Sequence, residues 1–272
     1  MVCQVEIFCF GNELLIGKIL NTNARWLSNL ITSLGGEVKR ITVVGDDIQE
    51  ISSVIKQSIS RKPSFIITTG GLGPTYDDKT LEAISKALER PLQLDDKALQ
   101  MVRDRYRRYG ERLHRQLELT PARIKMAKLP KGSEALKNSE GTAPGVLIRQ
   151  EGITIISLPG VPREMEKIFE ESIVPIIRSQ VGNLYYFEVS LKVTNIGESS
   201  IAPLIDKTIH DHPQVYIKSH PKSSETGQES FWVELHLSTT SKSEEDAKNR
   251  VEEASNQISK LIIYNGGKVD PN

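Results

Sequence analysis

The feature that most constrains this chain recurs along its first third: an apolar run, a turn of glycine and polar residues, then an amphipathic helix. "VEIFCF" (Val5–Phe10) reads as a buried strand ending at Gly11. Asn21 or Asn23 can cap the helix that follows, whose apolar set Trp26, Leu27, Leu30, Ile31 and Leu34 forms one face. Gly35-Gly36 ends it. "VKRITVV" is a second strand, stopping at Gly45-Asp46-Asp47. Ile48, Ile51, Val54, Ile55 and Ile59 mark the next helix, with Asp47 as N-cap and Glu50 at the reciprocal position. "SFIITT" is the third strand, and Leu81, Ile84 and Leu88 mark the third helix. Strands and helices that alternate through short connections predict parallel strands with right-handed crossovers, an α/β class of fold. Ligands bind such folds beyond the carboxyl ends of the strands. The turns Gly11-Asn12-Glu13, Gly45-Asp46-Asp47 and Gly70-Gly71-Leu72-Gly73 would then share one sheet edge.

Further along, "GVLIRQEGITIISL" predicts a hairpin turning at Glu151-Gly152. It runs into "PGVPREMEKIF", where Pro162 suits the first turn of a helix. After Gln180 the pattern changes. "YYFEVSLKVTN", "QVYIKS" and "FWVELHLSTT" read as strands, with helices over 200–209 and 244–262. A boundary near Val181-Gly182-Asn183 divides the chain into domains 1–180 and 181–272, the second a small α+β unit. "PKSSETGQES" reads as a polar, mobile hairpin loop.

Composition limits the function. The chain has 272 residues, with Lys+Arg 35 balanced by Asp+Glu 35, so electrostatics gives no case for a nucleic acid or a membrane surface as partner. No apolar run approaches the ~20 residues that span a bilayer, and "MVCQVEIFCFGNE" lacks the layout of a signal peptide. Cys3 and Cys9 would share one strand face too far apart to bridge, and read as buried thiols in a reducing, cytoplasmic setting.

The glycine turn in "TTGGLGPTYDDKTLEA" carries the chemistry. It is no Walker A loop, since no Gly-Lys-Ser/Thr follows, and the dinucleotide fingerprint fails at Tyr76. Its backbone N–H groups and the helix start beyond them still suit a phosphate. A plainer account has the glycines make a tight turn and Asp77 or Asp78 cap the helix. One cap leaves one aspartate over, and Asp46 is left over on the neighbouring turn. Two like charges ~4 Å apart in a partly buried site cost several kcal/mol. A divalent ion held by one or two carboxylates and by ligand oxygens removes that cost. The glycines would seat a phosphate and the aspartates a metal.

"GNELLIGKILNTNARWL", "VVGDD", "TTGGLGPTYDDKTLEA", "NSEGTAPG" and "LPGVPREM" together resemble, over about Phe8 to Ile177, the N-terminal domain of the CinA, competence-damage-inducible family. That domain is related to the molybdopterin-binding domains of molybdenum-cofactor biosynthesis. The resemblance implies a three-layer α/β sandwich with a mostly parallel sheet. Residues 186–263, with "NIGES", resemble the small KH-like domain that follows. Full-length relatives continue into a nicotinamide mononucleotide deamidase domain that this chain lacks, so deamidase activity gains no support. A homo-oligomer is expected, and the resemblance implies divalent-metal-dependent hydrolysis of a nucleotide pyrophosphate with Mg²⁺, Mn²⁺ or Co²⁺, with ADP-ribose first and FAD next. The alternatives are a molybdopterin-binding or adenylyl-transfer protein, with a molybdopterin as ligand, and a non-catalytic nucleotide-binding module. The relatives' working carboxylates fall on Asp46 and Asp78, with Asp77 a further metal ligand. Ligand contacts fall on Gly11, Asn12, Glu13, Gly70, Gly71, Gly73, Thr75, Gly141, Thr142, Pro144, Gly145, Pro159 and Gly160. Leu72 stands where the relatives carry a hydroxyl, which weakens the adenylyl-transfer reading.

Three other features point elsewhere less strongly. "RDRYRRYGERLHR" mixes arginines with Asp104 and Glu111 and reads as a solvated helix or an oligomer contact. His210, His212 and His220 lack cysteine or acidic partners for a metal. The KH-like segment has no Gly-x-x-Gly clamp for RNA.

Overall fold

The computed structural model describes residues 3–182, 184–222 and 232–271. Most of the expected polar loop at 221–230 lies outside these. The chain divides into two compact units, residues 1–32 with 36–181 and residues 33–35 with 182–272.

The first unit runs β1 (Gln4–Phe10), α1 (Asn12–Leu15), α2 (Thr22–Ser33), β2 (Glu37–Val44), α3 (Ile48–Arg61), β3 (Phe65–Thr69), α4 (Thr80–Ala87), β4 (Leu92–Leu94), α5 (Asp96–Arg112) and α6 (Pro121–Lys125). It continues with β5 (Lys128–Pro130), β6 (Glu134–Leu136), β7 (Gly145–Gln150), β8 (Ile153–Leu158), α7 (Pro162–Ile168) and, after a π turn, α8 (Val174–Val181). Its main sheet is ordered β2-β1-β3-β8-β7-β6. β2, β1, β3 and β8 are mutually parallel; β7 and β6 are antiparallel additions at one edge. The β7–β8 hairpin turns on Glu151 (φ 50°) and Gly152 (φ 83°).

Both faces of the sheet are covered, which is why its strands read as continuous apolar runs. One face sets Phe8, Phe10, Ile66 and Ile155 against Ile51 and Ile55 of α3, Ile84 of α4 and Val102 of α5. Val5, Ile7, Cys9, Ile67 and Ile156, on the other face, are equally buried. Trp26 of α2 meets Phe169 edge-on at 5.7 Å. The unit is therefore an α/β sandwich with a mostly parallel sheet.

Local chemistry starts the helices. Asp47 accepts from the N–H groups of Gln49 and Glu50 and caps α3. Asn21, rather than Asn23, caps α2, accepting from Ala24 N–H at 3.0 Å. α4 begins after Lys79 with no side-chain cap, so neither Asp77 nor Asp78 serves that purpose. Cys3 and Cys9 are free and buried, and burial pushes both thiols up from their ordinary value.

The second unit holds β9 (Tyr185–Thr194), α9 (Glu198–Asp211), β10 (Tyr216–Lys222), β11 (Trp232–Ser241), α10 (Glu244–Tyr264) and β12 (Lys268–Pro271). Its antiparallel sheet is ordered β10-β11-β9-β12. Leu191, Val193, Leu235 and Leu237 pack against Ile201 of α9 and Val251, Ile258 and Ile262 of α10. No helix among the described residues is long and apolar enough to cross a membrane.

Candidate ligand-binding site

A cavity of about 600 Å³ opens beyond the carboxyl ends of β1, β2, β3 and β8. Parallel pairing brings the turns after these strands together. Gly11, Glu13, Asp46, Gly70, Gly71, Gly73, Thr75, Asp77, Asp78, Thr142, Pro159 and Gly160 all line it.

The turn after β3 needs glycine for two reasons. Gly70 and Gly71 have φ of 106° and 67°, which L side chains rarely adopt. A Cβ on Gly70 would collide with the Phe10 carbonyl oxygen, and one on Gly71 with Thr80 Oγ1. Thr80 locks this shape by donating its hydroxyl to Gly70 O at 2.8 Å and its N–H to Gly71 O at 3.2 Å. Leu72 points into the core and is buried.

Asp78 folds back on the turn instead of capping α4. Its Oδ2 accepts from Thr75 N–H at 2.8 Å and from Thr75 Oγ1 at 2.6 Å. Thr75 Oγ1 also reaches Asp77, and Lys125 Nζ donates to Thr75 O at 2.5 Å. The Thr75 hydroxyl bond holds the Asp77 carboxyl below its usual range. Across the cavity, Asn12 N–H donates to Asp46 Oδ2 at 3.0 Å and Asp46 N–H to Asn12 Oδ1 at 3.3 Å, which ties the turns after β1 and β2. Burial pushes the Asp46 carboxyl up; the Asn12 bond opposes this, and the charges of Glu13, Asp77 and Asp78 add to the rise.

Four of the residues chosen from sequence are not on the wall. Asn12 is occupied with Asp46. Gly141 lies under the Glu164 carboxylate, which a Cβ there would strike. Pro144 is buried, and Gly145 begins β7, paired with Leu136. Conversely, sequence reading missed Leu14, Ile19, Leu20, Asn21, Asn23, Thr69 and Glu164, all lining residues. It also missed Asn138. Asn138 Nδ2 donates to Ala143 O and Glu164 Oε2, both at 2.7 Å, while its Oδ1 accepts from Glu140 N–H and Gly141 N–H. This clamp shapes the turn that presents Thr142.

Five carboxylates, Glu13, Asp46, Asp77, Asp78 and Glu164, thus face one cavity, and among the described residues no Lys, Arg or His lines it. No three His, Cys, Asp or Glu among the described residues converge on a point that could hold an ion by themselves. The donor set suits a hard cation completed by ligand oxygens, since Mg²⁺ takes one or two carboxylates and fills its shell from phosphate and water.

Residues 6–179, more than half of the chain, match the family described as "Probable molybdopterin binding domain". The chain therefore belongs to that family. Within it, the structure is similar to a crystal structure of the protein CinA, of unknown function, from Thermoplasma acidophilum: 35% identity, 66% of this chain and 99% of that chain covered, TM-score 0.58. A protein from Sulfurisphaera tokodaii is 40% identical over 268 residues, 98% of each chain. One from Sulfolobus acidocaldarius is 42% identical over 264 residues, 97% of this chain and 96% of that one.

Proposed function

We propose that the first unit binds a phosphorylated pterin of the molybdopterin class in this cavity. The observation that carries the reading is the coincidence of the family match with a cavity at the carboxyl edge of the parallel strands, where ligands of α/β folds bind. The Gly70 N–H is taken by Leu158 O at 3.0 Å, so the N–H groups of Gly71, Leu72 and Gly73 would meet the phosphate. Asp46 and Asp78, with Asp77 beside them, would hold a divalent ion against it. Such an ion would neutralise phosphate charge and polarise the phosphorus. The test is fluorescence titration of the purified protein with neopterin monophosphate. Saturable binding in the micromolar range supports the reading, and no binding up to millimolar concentration overturns it.

A second reading is metal-dependent hydrolysis of a nucleotide pyrophosphate such as ADP-ribose or FAD. The five carboxylates without a lining cation favour it, because they ask for a metal ion wherever a phosphate is bound. Release of AMP from ADP-ribose, FAD, NADH or ATP with Mg²⁺, Mn²⁺ or Co²⁺ decides it. A non-catalytic nucleotide module would bind these compounds and leave them intact. Adenylyl transfer gains little, because buried Leu72 offers no hydroxyl. For the second unit we propose the KH-like assignment on its β-α-β-β-α-β order. The balanced charge speaks against a nucleic-acid partner, the free buried Cys3 and Cys9 fit a reducing, cytoplasmic setting, and a homo-oligomer completes the proposal.

A further inference from the structure

We propose that Asn23 reads the heterocycle of the ligand: its carboxamide oxygen accepts a ring or amino N–H, and the phosphate is left to the Gly70–Gly73 turn. The inference rests on the cavity reading above and goes beyond it by assigning the ligand's orientation.

The orientation of the Asn23 amide is fixed by its neighbours. Thr69 Oγ1 donates its single hydrogen to Pro159 O at 3.0 Å, so towards Asn23 it can only accept. Asn23 Nδ2 lies 2.9 Å from Thr69 Oγ1 and 2.8 Å from Gly160 O, a carbonyl that also only accepts. Both amide hydrogens are therefore used. The flipped amide would set oxygen against two acceptors. Asn23 Oδ1 is left closed to water and without a partner, on a residue that lines the cavity. Buried acceptors are nearly always satisfied, so an exception needs an explanation.

A ligand donor supplies one. A pterin offers a ring N–H and an amino group, and an adenine offers an amino group, all neutral donors. A fully ionised phosphate offers none. The wall around Asn23 suits a planar ring: Ile19 and Leu20 just before it in sequence, and Val161 beside Gly160, are apolar and 53–78% exposed. Because Oδ1 is closed off, the wall must yield for the donor to enter, and Leu20 and Thr22 are its nearest exposed members in sequence.

The test compares donor-bearing and donor-blocked ligands on wild type and on Asn23→Ala. Neopterin monophosphate and its 3-methyl, 2-dimethylamino form are titrated against each, with circular dichroism and thermal midpoint checking the variant's fold. The expected result is about tenfold tighter binding of the unblocked pterin by wild type, the size of one hydrogen bond. In Asn23→Ala the two pterins should bind alike, while pyrophosphate binding is unchanged. Equal binding of both pterins by wild type overturns the assignment without any variant, as does discrimination that survives in Asn23→Ala. If wild type binds ADP but no pterin, the molybdopterin reading fails instead. The same comparison with ADP and its N6-dimethyl form then decides the role of Asn23 by the same criterion. Binding of neither class overturns both.

Discussion

Glu6 and Asp46 sit on adjacent parallel strands or their turns and meet opposite surroundings. Glu6, 2% exposed on β1, takes Arg61 Nε at 2.7 Å and Arg61 Nη2 at 2.6 Å, with Ser58 Oγ at 2.8 Å and Arg40 within 3.8 Å. Asp46, past the end of β2, has one backbone N–H from Asn12 and three carboxylates for company. Burial pushes both carboxyls up. At Glu6 the bonds from Arg61 and Ser58 outweigh burial and the carboxyl ends below its ordinary 4.5; at Asp46 nothing outweighs it. The strand body satisfies its charge for stability. The strand ends leave theirs without a Lys, Arg or His on the cavity wall among the described residues.

Substitutions can break this contrast. Glu6→Gln has the largest expected effect, about 2 kcal/mol of lost stability by urea denaturation, because it weakens the charge-assisted hydrogen bonds that hold a buried carboxylate to Ser58 and to the more exposed Arg61. The lowered Glu6 carboxyl stabilises the fold above about pH 4.5 and loses that contribution as pH falls, so the variant should show a flatter acid limb. A loss well under 1 kcal/mol would mean that the pair is ornamental.

Gly71→Ala comes next. The left-handed backbone at φ 67° costs an alanine about 1–2 kcal/mol, and the clash with Thr80 loosens the turn, so phosphate affinity should fall with stability. Asp78→Asn should cut ligand affinity in the presence of Mg²⁺ about tenfold or more, equivalent to about 1.4 kcal/mol. Its fold should survive, since Asn still accepts the Thr75 N–H. Unchanged affinity would remove Asp78 from the site.

Asp46→Asn sharpens the contrast by its sign. A raised carboxyl contributes stability below its ordinary 3.8 and loses it as pH rises through the shifted value. The Asn variant should therefore melt higher than wild type at neutral pH, converge with it in acid, and bind ligand less well. Asp47→Asn, at the helix cap next door, should change stability by about 0.5 kcal/mol or less, since Asn caps equally well. Equal loss of binding at positions 46 and 47 would show that the cap and the ligand-facing carboxylate have been assigned the wrong way round.

What was legible in the sequence was what is local or periodic. The run Val5–Phe10, the Asp47 cap and the Glu151-Gly152 turn each follow from a few neighbouring residues. Parallel strands then carried the three polar turns to one edge, because that much geometry follows from alternation. The misses are of another kind. α1 is four residues long, too short to have a period. Asn138 and Glu164 meet across 26 positions, and Asn23 meets Gly160 across 137, so no window reveals either pair. Both lie inside the stretches "NSEGTAPG", "LPGVPREM" and "NTNARWL" that carried the family resemblance, which was the one signal available for them. Asp77 and Asp78 offered a cap by spacing alone, and Thr75 took them instead.

The most direct test of the central claim, that the unpaired carboxylates serve a phosphorylated ligand, is calorimetric titration of the full chain with neopterin monophosphate, with Mg²⁺ and then with EDTA. The account predicts saturable binding with the ion, at least tenfold weaker binding in EDTA, and loss of the difference in Asp46→Asn and Asp78→Asn. Binding of equal strength in EDTA, untouched by either substitution, would contradict it.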